Sequence, residues 1–83
     1  MPDRTEREAR TIAAHIVRYL RAHPGAADTL GGVARWWLQE LPRDEVMEQA
    51  IAMLVNRKLL ERHVLPEGTA VFRGGPGLGV SDD

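Results

Sequence analysis

Apolar positions in the first third of the chain repeat at a helical period. Ala9, Ile12, Ala13, Ile16, Val17 and Leu20 fall on one side of a helix, with Arg7, Arg10, Arg18 and Arg21 largely on the other. Thr5-Glu6-Arg7-Glu8 has the spacing of a capping box at its start, in which hydroxyl and carboxylate satisfy each other's backbone N–H groups. His23-Pro24-Gly25 ends it, because the proline ring pushes the preceding residue out of the helical region. A second helix is predicted from a cap at Asp28 or Thr29 through Leu30, Val33, Ala34, Trp37, Leu38 and Leu41. Gly31-Gly32 weakens its first turn by about 1 kcal/mol per glycine relative to alanine, and predicts the close approach of another backbone there. Pro42 stops this helix and opens a third, from about Asp44 to Arg57. Its apolar set, Val46, Met47, Ala50, Ile51, Met53, Leu54 and Val55, is broad enough to touch both other helices. Asp44, Glu45 and Glu48 crowd its first turns while Arg57 and Lys58 close its last, a polarity that matches the helix dipole.

After Leu59 the period changes from helical to two. Leu60, Arg62 and Val64 alternate with Glu61, His63 and Leu65, Pro66-Glu67-Gly68-Thr69 is a turn signal, and Ala70-Val71-Phe72-Arg73 is a short return strand. That is a β-hairpin. From Gly74 onward a glycine-rich run ending in Asp82-Asp83 has no core pattern and is expected to be a flexible tail. The chain therefore divides into one folded domain over residues 1–73 and an acidic tail over 74–83. Its expected class is α+β, mainly α: a three-helix bundle with a C-terminal hairpin.

Composition narrows the classes of function. Eighty-three residues make one domain near the lower size limit for a self-sufficient core, so extra burial in an assembly would help. Hydrophobic residues are 43 % and charged residues 28 %, which excludes a disordered polyelectrolyte. With no cysteine, disulfides, thiolate metal sites and thiol catalysis are excluded, and a cytoplasmic location is expected. No apolar run approaches a membrane span, and the charged start Met1-Pro2-Asp3-Arg4 lacks a following signal-type stretch. Net charge is −1, which is not the overall signature of a DNA binder. The distribution is uneven, however: residues 1–23 hold five arginines against three acids, and residues 57–73 hold four cations against two. Local basic patches are therefore expected.

Helix, helix, helix, hairpin in this order resembles the winged-helix branch of the helix-turn-helix proteins. The likeness is strongest from Val46 to Arg62, where Leu54-Val55-Asn56-Arg57-Lys58-Leu59-Leu60-Glu61-Arg62 looks like the family's third helix running into its wing. The family often has glycine just before the paired leucines. Here that position is Lys58, so a left-handed backbone there would cost roughly 1–2 kcal/mol. The resemblance implies a third helix in the DNA major groove and a wing against the backbone or minor groove. Its outward positions here include Arg43, Glu45, Glu48, Gln49, Ala52 and Asn56. Gln49 and Asn56 can pair with adenine edges, and Arg43 with guanine or phosphate. Arg57, Lys58, Arg62 and Arg73, with His63, form a candidate basic edge beside the hairpin. Against DNA, Glu45 and Glu48 sit where phosphates come close, and the third helix with its flanks carries three acids and three bases.

Two readings follow. The first is a small DNA-binding transcriptional regulator, expected to be a homodimer on double-stranded DNA. The second is a protein-interaction module that borrows the scaffold. The Trp36-Trp37 pair bears on the choice. Adjacent helical positions point about 100° apart, so Trp37 aligns with the core and Trp36 with its margin. An exposed tryptophan is a common anchor; a homodimer through Trp36 and the first helix is one form of this, and a Trp36 that covers the hairpin or first helix is the dull alternative. No enzyme is expected. His15, His23 and His63 have no ligand spacing, Gly31-Gly32 lacks the following Lys-Ser/Thr of a phosphate loop, and Ser81 is the only serine. No cofactor, metal or catalytic residue is expected.

Overall fold

The computed structural model describes residues 3–38 and 42–79. The first helix, α1 (Arg4–Ala22), is capped by Asp3, whose carboxylate accepts a hydrogen bond from the Glu6 N–H at 2.8 Å. The cap expected at Thr5 is thus displaced by two residues. Asp3 and Glu6 have the same spacing as the Thr5 box, and a carboxylate at this position gains from the helix dipole as well as from the bond. Ala9, Ile12, Ala13, Ile16 and Leu20 are buried, and Val17 packs at the margin. His23 closes the helix by donating its N–H to the Tyr19 carbonyl at 2.8 Å.

A strand follows that no periodicity announces. β1 (Ala27–Thr29) pairs antiparallel with β3 (Ala70–Gly74), which also pairs antiparallel with β2 (Leu60–Val64), so the sheet has three strands in the order β1-β3-β2. Three residues are too few to display an alternation. Thr29 then caps the second helix, its hydroxyl accepting from the Gly32 N–H at 3.2 Å, while the Asp28 carboxylate accepts from the Thr29 N–H at 2.8 Å. This helix starts as α2 (Leu30–Gly32) and widens directly into a π-helical segment, Val33–Leu38. Among the described residues the closest approach here is by a side chain, not by the backbone expected. Gly31 faces open space, and a side chain at Gly32 would collide with the Asp28 carboxylate. Leu41 lies outside the described residues.

Helix α3 (Asp44–Asn56) buries Val46, Met47, Ala50, Ile51 and Leu54. Its broad face packs chiefly on α1 and onto the start of β2, and only slightly on the second helix. A left-handed turn takes the chain into the sheet. Lys58 has φ +63°, its N–H donates to the Val55 carbonyl at 3.0 Å, and the Leu59 N–H donates to the Leu54 carbonyl at 2.9 Å. This is the Schellman pattern of crossed bonds that satisfies the last carbonyls of a helix. The sharp corner that the resemblance implied is present, with lysine in the position where glycine is cheapest.

The two strands of the hairpin meet the core unequally. Leu60 is buried and the remaining four residues of β2 are exposed, while β3 contributes Phe72. Ala70, opposite Val64 at the turn end of the ribbon, also packs against the core. The expected tail is folded over residues 74–79: Gly74 ends β3, Pro76–Gly79 form a 3₁₀ turn, and Leu78 packs against the core. The Gly75 N–H donates to the Leu59 carbonyl at 3.0 Å and the Gly77 N–H to the Lys58 carbonyl at 2.7 Å. A β-carbon at either glycine would collide with the Lys58 carbonyl. Glycine content that reads as flexibility is here a close approach to the helix–strand corner, so the folded unit runs past the expected boundary at 73. Residues 80–83 lie outside the described residues. The architecture is mainly helical, three helices with a small antiparallel sheet, in a winged-helix arrangement.

Candidate functional site

The candidate DNA-facing residues do not form one surface. Arg43 precedes α3, and its guanidinium donates to a Glu8 carboxylate oxygen at 2.8 Å and to Glu45 Oε1 at 3.2 Å. The hydrogen bond and the attraction from Glu8 push its pKa up from the ordinary arginine value, with Glu45 adding to the effect. Arg43 thus ties the start of α3 to α1. Around it Asp44, Glu45 and Glu48 are exposed, Gln49 is half-buried, and Ala52 and Asn56 are exposed. The outward face of α3 is acidic at its first turns and neutral beyond them.

The wing divides its charges between its two faces. Directly opposed residues in an antiparallel pair share a face. Arg62 lies opposite Phe72, on the face that leads into the core, whereas Arg73 lies opposite Glu61 on the other. Arg73 is paired with that glutamate, Nε to Oε1 at 2.8 Å. His63, opposite Val71, shares the face of Arg73. The candidate edge of Arg57, Lys58, Arg62, His63 and Arg73 is therefore split. Arg57 and Lys58 remain together at the corner after α3, with Asn56 beside them in sequence, and all three are exposed.

The two tryptophans have opposite fates. Trp37 is 7 % exposed and stacks on Tyr19, with ring centroids 5.2 Å apart and planes within 9°. Tyr19 also meets the His23 ring at 4.3 Å. Trp36 is 62 % exposed, so it covers neither the hairpin nor the first helix to any depth. Leu30, on the same helix, is also exposed. A shallow groove of about 520 Å³ runs beside it between the second helix and the start of α3, with Leu30, Ala34 and Met47 as its apolar lining and Asp44 and Glu48 at its edge.

A second basic surface draws on the two cation-rich stretches of the sequence, though their meeting was not read from it. Arg10, Arg18 and Arg21 of α1 and Arg57 after α3 rim a cleft of about 640 Å³ between the two helices. Its lining includes Ala13, Ala14, Val17 and Met53. Arg10 also donates to Glu6 at 3.0 Å. The arginines of α1 read as a solvated helix face, and what makes them a site is the arrival of Met53 and Arg57 from α3. The available signal was the stripe Arg10, Ala14, Val17, Arg18 and Arg21, which shares one side of the helix at 3.6 residues per turn.

Among the described residues no group of three His, Cys, Asp or Glu side chains could hold a metal ion, and no helix is long and apolar enough to cross a membrane. Comparison of the chain with protein-family models, with curated protein sequences and with solved structures finds no match in any of the three.

Proposed function

We propose that this domain is a protein-interaction module on a winged-helix scaffold, with Trp36 as its anchor. The observation that carries the reading is the 62 % exposure of Trp36 on a helix whose next residue is locked into the core. A large, rigid aromatic held in water by a fixed neighbour forgoes burial in the free domain and gains it on docking. The acids support the same reading. Asp44, Glu45 and Glu48 stand exposed on the helix that the winged-helix resemblance would put against a duplex, and each opposes attraction to phosphate. The test replaces Trp36 with a photo-crosslinking phenylalanine analogue in living cells, with the same replacement at exposed Arg35 as the reference. Discrete protein adducts from position 36, much weaker from 35, are the expected result. Equal patterns or no adducts overturn the reading.

One observation favours DNA as the partner. Arg57, Lys58 and Arg62 are exposed and have no ion-pair partner among the described residues. On that reading, a small regulator binds double-stranded DNA through the corner after α3 and the wing. It requires duplex binding that weakens with salt and is lost in Arg62→Glu. Duplex binding indifferent to Arg62→Glu, or none at low salt, removes it.

A further inference from the structure

The protruding tryptophan and the arginine-rimmed cleft fit each other. We infer that the partner of Trp36 is a second copy of this chain, which receives the indole in its α1–α3 cleft. The inference rests on the reading of Trp36 as an anchor and adds the identity of its socket.

The cleft has the chemistry that recognises an aromatic ring. Ala14 and Val17 leave room above the floor, and Met53 offers a flexible thioether of the kind that packs favourably on aromatic faces. Arg18 and Arg57 stand on its rim, with no ion-pair partner among the described residues. A guanidinium over an indole face is the strongest common cation–π arrangement. The volume, about 640 Å³, exceeds what a single indole needs. A phosphate strand fits this cleft less well, since its floor is apolar and it presents no aromatic platform for a base.

The domain cannot satisfy itself. Among the described residues none of the second helix lines the cleft. That helix rests through Trp37 on Tyr19, roughly 150° around the α1 axis from the Arg10–Arg21 stripe at 3.6 residues per turn. Anchor and socket thus lie on opposite flanks of α1. A two-fold dimer would need both on one face, so the contact is head to tail, and such contacts grow into chains or rings.

The test uses the full chain and two one-sided variants. Trp36→Ala removes the anchor and keeps the socket. Ala14→Trp fills the socket from an exposed position and keeps the anchor. Light scattering of the wild type from micromolar to millimolar concentration is expected to show a mass that climbs past that of a dimer. Each variant alone is expected to stay monomeric, with self-association weakened about 30-fold or more. Their equimolar mixture is expected to reach the dimer mass and stop, because one intact anchor meets one intact socket. The pair Arg18→Glu with Arg57→Glu serves as a second socket variant should Ala14→Trp disturb folding. A monomeric wild type, a Trp36→Ala chain that still associates, or a mixture that stays monomeric overturns the inference. If the wild type is monomeric while crosslinking at position 36 captures a different protein, the socket fails and the interaction module stands. Where crosslinking is blank as well, both fail.

Discussion

At Lys58 the backbone sits at φ +63°, in a region where a side chain is crowded by its own carbonyl. For a residue other than glycine the conformation costs roughly 1–2 kcal/mol. The surrounding bonds offset it: the Val55 and Leu54 carbonyls are satisfied from Lys58 and Leu59, and the Lys58 carbonyl in turn accepts from Gly77. None of these bonds uses the lysine side chain, which is exposed. Lys58→Gly should therefore relieve the crowding while keeping every bond. Glycine's greater freedom in the unfolded chain returns about 0.5–1 kcal/mol of that gain. A net stabilisation of about 0.5–1 kcal/mol is expected, read as a higher denaturant midpoint with an unchanged slope. A lower midpoint would mean that the lysine stem contributes packing which its exposure does not suggest.

The second helix is the element in which a one-residue difference decides between core and surface. Trp37→Ala removes a buried ring and its stack on Tyr19, a loss of about 3–5 kcal/mol in a domain too small to spare it. Trp36→Ala should change the stability of the isolated chain by no more than about 0.5 kcal/mol. Thermal unfolding monitored by circular dichroism separates the two; a large loss at Trp36 would make it a structural residue and remove its role as anchor. Most of this level was legible in the chain. The long apolar periods of α1 and α3 and the turn at Pro66–Thr69 each rest on local rules that the final packing obeys, whereas the corner at Lys58 came only from the resemblance and runs against the local preference for glycine. What was not legible depends on pairs of residues far apart. β1 exists because Ala27–Thr29 finds an open edge of β3. Widening into the π-helical segment at Val33 has no signature in a pattern that counts by α-helical turns. The basic cleft needs Arg57 to arrive beside Arg18, and the wing's charges separate only once the register sets Arg62 against Phe72 and Arg73 against Glu61.

In a molecule of 83 residues the core is small enough that a segment outside the three helices can decide whether the whole is stable. Residues 75–79 are such a segment. They cross the corner between α3 and β2, return two backbone hydrogen bonds to the Leu59 and Lys58 carbonyls, and set Leu78 against the core. At about 0.5–1.5 kcal/mol for each bond and about 1–2 kcal/mol for a partly buried leucine, the segment is worth about 2–4 kcal/mol after the ordering of its own backbone takes a share. It also braces the position where Lys58 is strained, so its removal leaves that strain less well opposed. A chain ending at Gly74 should therefore melt well below one ending at Gly79, by roughly 10–30 °C given about 4–8 °C per kcal/mol for a domain of this length. Gly75→Ala in the longer chain should reproduce much of the loss, because its β-carbon meets the Lys58 carbonyl, which is backbone and has little room to give. Equal melting temperatures for the two lengths would show the 3₁₀ turn to be a passenger. The domain would then end at the hairpin, and the glycines after it would need no explanation from packing.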